Sequence, residues 1–232
     1  MKRRHPSGIG PTMVAECRRY GKDRQLMTVD LNTLLETDDD VRRLFEGRPM
    51  QYRKSQSLPD LTWQAQSTCD RINRVFFENQ DEAMRLFHDL VPGTGDGVDF
   101  RPPINLDYGI GLTIGDRTFI NKDFLIVGGG YVEIGSDCLI GPRCTICTPN
   151  HALDAATRLD GWEHTTPVRI GSNVWLGANV TICPGAVIGD NSIIGAGSVV
   201  VGDIPANSIA VGNPCRVIKP LPDHDPAFAE IE

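Results

Sequence analysis

The residues best suited to moving a proton lie in one short stretch. Pro149-Asn150-His151-Ala152-Leu153-Asp154 leads into Gly161-Trp162-Glu163-His164. An imidazole titrates near neutrality, and a positioned one speeds proton transfer by about a hundred- to ten-thousand-fold, so His151 is the candidate general base. A histidine in an arbitrary loop is usually just solvated, so this assignment depends on what holds the stretch in place. Cys144 and Cys147 form a CxxC pair, but no second ligand pair and no thioredoxin-like strand and helix surround it. A zinc or redox centre is therefore not expected.

The chain has 232 residues, 40% of them hydrophobic and 23% charged, with a net charge of −7. That length allows one large domain or two small ones, with a core that needs no disulfides. That acidic balance is poor for binding phosphate backbones, so nucleic acid is not an expected partner. No apolar run is long enough to span a bilayer, and Met1-Lys2-Arg3-Arg4-His5 leads into polar sequence rather than a signal-peptide core. Seven cysteines, Cys17, Cys69, Cys138, Cys144, Cys147, Cys183 and Cys215, make an odd, scattered set. Reduced thiols and a cytoplasmic location are the expectation.

The element that must carry His151 shows in a repeat of six. Aliphatic residues stand at Ile114, Ile120 and Ile126, at Ile134, Ile140 and Ile146, and at Ile170, Leu176, Ile182, Ile188, Ile194 and Val200. Glycines often follow them, and position five is compact, as at Thr118, Cys138, Val174 and Ser198. Neither a strand period of two nor a helix period of 3.6 explains this spacing. A mainly β fold does: a left-handed parallel β-helix in which each hexapeptide forms a short strand and a turn. Three of them close a triangular coil, and each aliphatic residue stacks on its counterpart eighteen residues later. Glycine and asparagine would take the left-handed backbone of the tight corners.

Two breaks interrupt the phase. Gly128-Gly129-Gly130 add two residues to one corner, and residues 148–167 form an excursion that leaves the coil and returns in register. Long loops on rigid scaffolds are where function concentrates. Ahead of the solenoid, Ala65, Cys69, Ile72, Val75 and Phe76 predict a helix with Asp60 as its cap. Ala83, Met84, Phe87 and Leu90 predict another after Asp81, ended by Pro92-Gly93. Asp38, Asp39 and Asp40 could cap a short helix through Phe45. The domain reading is a polar extension over 1–44, a helical region over 45–92, the β-helix with its loop over 93–219, and a tail over 220–232.

Further signatures accompany these: Pro102-Pro103, Asp107-Tyr108-Gly109, Asn121, Asn150-His151 with Asp154, Val174-Trp175-Leu176-Gly177, Pro184-Gly185 and Gly212-Asn213-Pro214-Cys215-Arg216-Val217-Ile218. In order and separation this set resembles the maltose and galactoside O-acetyltransferase family over residues 45 to 221. The resemblance implies a homotrimer, acetyl-CoA as donor, no metal, and active sites between neighbouring subunits. It implies that His151 takes the proton of a sugar hydroxyl and that transfer is direct. Glu163 would orient the imidazole or support its cationic form, and Trp175 would wall the pocket. Asp107 and Asn121 would meet acceptor hydroxyls, although Asn121 would serve equally as a left-handed corner residue. On the donor side, Gly177, Ala178, Ala196, Gly197 and Ser198 would let a pantetheine arm lie along the backbone. The Ala178 N–H would be the oxyanion donor, with Arg216 and Lys219 placed for phosphates.

The chain departs from the family pattern at two points. Gly128-Gly129-Gly130 stand where relatives carry an acidic residue that touches the acceptor, and Val201-Gly202 replace a Thr-Lys pair. Two other readings share the solenoid. A γ-type carbonic anhydrase needs three zinc-bound histidines, and the repeat region and its loop hold only His151 and His164. A scaffold subunit without catalysis would bind no acetyl-CoA.

Overall fold

The computed structural model describes residues 31–224 and residue 227. The basic start, Cys17 and most of the expected tail lie outside them. Gly93–Pro220 winds as a three-sided parallel solenoid. One face stacks β1 (Gly93–Thr94), β4 (Leu112–Ile114), β7 (Val132–Ile134), β12 (Val168–Ile170) and β15 (Val187–Ile188). The second stacks β2 (Asp99–Phe100), β5 (Phe119–Ile120), β8 (Leu139–Ile140), β13 (Trp175–Leu176), β16 (Ile193–Ile194) and β18 (Ser208–Val211), with β19 (Arg216–Pro220) antiparallel at the end. The third stacks β3 (Ile104–Leu106), β6 (Phe124–Val127), β9 (Thr145–Cys147), β14 (Thr181–Ile182) and β17 (Val199–Val200).

Every repeat aliphatic is buried in the lumen, as are the compact residues at position five. The expected eighteen-residue stacking holds in the later coils, where Ile170 pairs with Ile188 and Leu176 with Ile194. In the earlier coils it is corrected to twenty. Ile114 pairs with Ile134 and Ile126 with Ile146, because Gly128-Gly129-Gly130 enlarge the intervening corner. Left-handed corners are taken by Gly97, Gly185 and Gly197, by the expected asparagines Asn173, Asn179, Asn191 and Asn207, and by charged residues too: Arg117, Asp123, Asp137 and Arg143. Three of these form a side-chain ladder, Asn173 Nδ2 donating to Asn191 at 3.0 Å and Asn191 Nδ2 to Asn207 at 2.9 Å. The recurrent glycines serve spacing instead: a Cβ on Gly135 or Gly177 would collide with the backbone of the adjacent coil.

Before the solenoid come α1 (Leu31–Thr37), α2 (Asp39–Phe45), α3 (Leu58–Val75) and α4 (Gln80–Leu90). Asp38 caps α2 by accepting from the Asp40 and Val41 amides. The cap expected at Asp60 is corrected, and the second helix starts before Asp81. α3 begins at Leu58 with Asp60 inside its first turn, and Asn79 caps α4 by accepting from Glu82 N. Carboxylates inside the first turn favour the helix dipole as a cap would, so the sequence alone does not separate the two roles. Phe76 and Phe87 pack on Phe100 with ring centroids 5.1 and 4.8 Å apart, closing the first coil. Asn73 exchanges two 2.9 Å hydrogen bonds with Ile104, covering that edge strand.

A second core joins Val41, Leu44 and Phe45 to Met50, Leu58 and Tyr108. Residues on both sides of the division expected at 44/45 thus share one cluster. At the other end β19 runs through Pro220, and Leu221 N donates to Asn207 O, so ordered pairing extends past Lys219. Among the described residues, no helix is long and apolar enough to cross a membrane.

Candidate active site

The excursion is a hairpin arm. The chain leaves the third face after Cys147, runs out along β10 (Pro149–His151), turns through α5 (Ala155–Leu159) and returns on β11 (Glu163–Thr165) before rejoining at β12. β10 and β11 are antiparallel, with His151 directly opposite Glu163. Cross-strand partners face the same side, which explains the twelve-residue separation. His151 Nδ1 lies 3.5 Å from Glu163 Oε2. The imidazole is 63% exposed, whereas the glutamate side chain is only 15% exposed. Burial pushes the Glu163 carboxyl above its ordinary value, against the downward pull of His151 and Arg53.

Glu163 is held from its other side by the N-terminal segment. Its N–H donates to Met50 O at 3.0 Å, and Met50 N donates back at 2.9 Å. Met50 therefore adds a one-residue bridge to the edge of the arm, and nothing in its sequence neighbourhood announces that. Asn150 Nδ2 donates to Thr166 Oγ1 at 3.1 Å, fixing the root beside the histidine. Asp154 accepts from Thr157 N as the cap of α5.

A separate feature occupies the second face. Phe119, Leu139, Trp175 and Ile193, each one residue before a lumen position, form the apolar floor of an open groove of about 570 Å³. Asn121, Gly177, Ala178 and Ala196 line the same groove, so five of the expected site residues, with Trp175, meet there. Trp175 stands 52% exposed, an aromatic ring presented to solvent. The Ala178 N–H makes no hydrogen bond among the described residues, while its carbonyl accepts from Gly197 N at 2.8 Å. Asn121 is not among the left-handed corners, which removes the alternative reading of it. Its Oδ1 accepts from Lys122 N, leaving the amide NH₂ to donate.

The remaining expected residues are placed differently. Gly197 is a corner with φ of +73° in open space. Ser198 faces inward: its hydroxyl donates to Gly195 O and accepts from Gly212 N, and its carbonyl accepts from Thr181 N. Its side chain secures the turn. Arg216 and Lys219 lie exposed on β19, at the end of the same face as the groove. Asp107 sits on the third face, where Oδ1 accepts from Gln66 Nε2 at 2.9 Å and Oδ2 from Gly128 N at 2.8 Å. His151 and Glu163 do not line the groove of their own chain.

A three-sided solenoid of hexapeptide coils, with a histidine arm on one corner and a ligand-sized groove on a face, defines the hexapeptide-repeat acyltransferase class. The family model described as bacterial transferase hexapeptide (six repeats) matches residues 167–202, and that of the hexapeptide repeat of succinyl-transferase matches residues 131–149. A putative acetyltransferase of Saccharomyces cerevisiae is 41% identical over 147 residues, covering 63% of this chain and 75% of that protein. The galactoside O-acetyltransferase of Escherichia coli is 35% identical over 170 residues, covering 73% and 84%. The solved structure of a galactoside acetyltransferase in complex with coenzyme A superimposes with a TM-score of 0.75 at 33% identity, covering 79% of this chain and 92% of that one. The chain belongs to the maltose and galactoside O-acetyltransferase family of left-handed β-helix enzymes, and it is an acetyltransferase.

Proposed function

We propose that this enzyme transfers the acetyl group of acetyl-CoA to a hydroxyl of a sugar or related small polar acceptor, with His151 as general base. The observation that carries this reading is the His151–Glu163 pair, an exposed imidazole backed by a shielded carboxylate. Nδ1 faces Glu163, so Nε2 is the nitrogen turned toward an incoming hydroxyl. His151 takes that proton as the acceptor oxygen bonds to the thioester carbonyl carbon. The Ala178 N–H donates to the developing oxyanion. The carbon–sulfur bond then breaks, and the imidazolium returns its proton to the departing thiolate. Glu163 steadies the ring while it is cationic.

The groove suits the donor. Its glycine and alanine rim allows close approach of a pantetheine chain to the backbone, and Arg216 and Lys219 continue the same face toward the phosphates. Asn121, Trp175 and Asp107 serve the acceptor, with the Asn121 amide as hydrogen-bond donor. The base and the groove belong to different sides of one chain, which supports a homotrimer in which the arm of one protomer reaches the groove of the next. The supply of acetyl-CoA in the cytoplasm supports that compartment for the reaction.

The test is thiol release from acetyl-CoA across a panel of mono- and disaccharides. One or more sugars should accelerate release, and His151→Ala should cut that acceleration by about a hundred- to ten-thousand-fold while acetyl-CoA still binds. Release that no sugar raises above plain hydrolysis would end the proposal.

A further inference from the structure

We propose that Asp160, at the tip of the arm, is a positioning residue for this reaction: it ties the arm to the N-terminal segment and so holds Glu163 against His151. The inference rests on the transferase reading above. Gln51 Nε2 donates to Asp160 O at 2.8 Å and to Oδ2 at 3.0 Å, and Lys54 Nζ lies 3.3 Å from Oδ1. Trp162 Nε1 donates to Oδ2 at 2.9 Å. One carboxylate thus gathers donors from the segment that follows Met50 and from the residue that precedes Glu163.

The root of the arm is held by the Met50–Glu163 bridge, but its distal part, residues 152–162, has little else to fix it. α5 buries no residue, and Leu153 and Leu159 stand 97% and 90% exposed. Its other polar contacts are internal, such as Arg158 Nη1 donating to Ala152 O and Leu153 O, both at 2.9 Å. Among the described residues, every hydrogen bond from residues 152–162 to the chain outside the arm ends on Asp160. A segment without a core takes its position from its polar ties, and small misplacement of a catalytic group is costly in rate. Cutting the tie lets the distal arm swing on the short β10–β11 ladder, which reaches Glu163 first.

The experiment compares wild type, Asp160→Ala, the double variant Gln51→Ala/Lys54→Ala, and Asp160→Asn by amide hydrogen exchange and by steady-state kinetics. In Asp160→Ala and in the double variant, exchange over residues 152–165 should rise about tenfold with the coil amides unchanged, and kcat should fall about tenfold at constant KM for acetyl-CoA. Asn keeps an acceptor for Gln51 and Trp162, so Asp160→Asn should recover most of both effects. Unchanged exchange in Asp160→Ala overturns the tie. Raised exchange with unchanged kcat overturns the positioning role, as does a double variant that behaves like wild type. A wild type inert toward every acceptor defeats the transferase reading, and the positioning role with it, while the exchange rates still report separately on the tie.

Discussion

Glu163 sits where stability and chemistry pull in opposite directions. Burial raises its carboxyl above the ordinary value, so the folded chain holds that proton more tightly than the unfolded chain does. A group raised in this way contributes stability below its unfolded value and loses it as pH climbs through its folded value. Ionised Glu163 is therefore a strain on the fold at neutral pH, relieved only in part by His151 and Arg53. Glu163→Gln never ionises, so its stability relative to wild type should improve from pH 4 toward pH 7, as read by urea unfolding at each pH. Its kcat should nonetheless fall roughly ten- to a hundredfold, because a neutral amide does not support an imidazolium. A variant whose relative stability stays flat over that range, or which turns over like wild type, would show that the carboxylate neither suffers from burial nor serves the imidazole.

Elements explain why the triple-glycine corner tolerates no side chain. A Cβ on Gly129 would run into Leu44 of α2, and one on Gly128 would meet Pro149 at the root of the arm. Thr165 Oγ1 on β11 donates to Leu44 O, so α2 touches corner and arm together. Gly129→Ala should cost about 1–3 kcal/mol of unfolding free energy by overpacking. Leu44→Ala alone should cost about 2–5 kcal/mol, and the double variant less than the sum of the two, because the smaller side chain makes room for the new methyl. Strict additivity in denaturant unfolding would mean that helix and corner do not touch. The lumen ladder was legible because inward positions recur in fixed phase. The apolar row Phe119, Leu139, Trp175 and Ile193 was open to the same reasoning, since only the second face repeats large apolar residues outward. The arm's departure and return were legible from the coil phase, but its hairpin pairing was not. What stayed hidden were contacts made by single residues across more than a hundred positions, Met50 with Glu163 and Gln51 with Asp160, which have no period and no local composition. α1 was hidden too: its stripe, Leu31, Leu34 and Leu35, spans only two turns and lies half-buried on the second core, too short a run to give a clear helical period.

At the scale of the whole molecule, one chain separates what the proposed reaction must bring together. The imidazole leaves the solenoid between its third and first faces, while the groove lies on the second. Closed rings solve such a problem by heterologous contact, each protomer lending its arm to the next, and a complete site then draws on two chains. This has a consequence that a self-contained monomer cannot imitate. Chains carrying His151→Ala lack the base but keep the groove, and chains carrying Ala196→Trp keep the base but fill the groove at an exposed rim position that disturbs no core. Each variant alone should be nearly inactive. Unfolded together in equal amounts and refolded, they should regain about a quarter of wild-type activity, because a random trimer places an intact arm beside an intact groove at one interface in four. Mixing without unfolding should restore nothing until subunits exchange. Co-refolded material that stays as inactive as its parents would place base and donor on the same chain, and the division of labour between protomers would have to be abandoned.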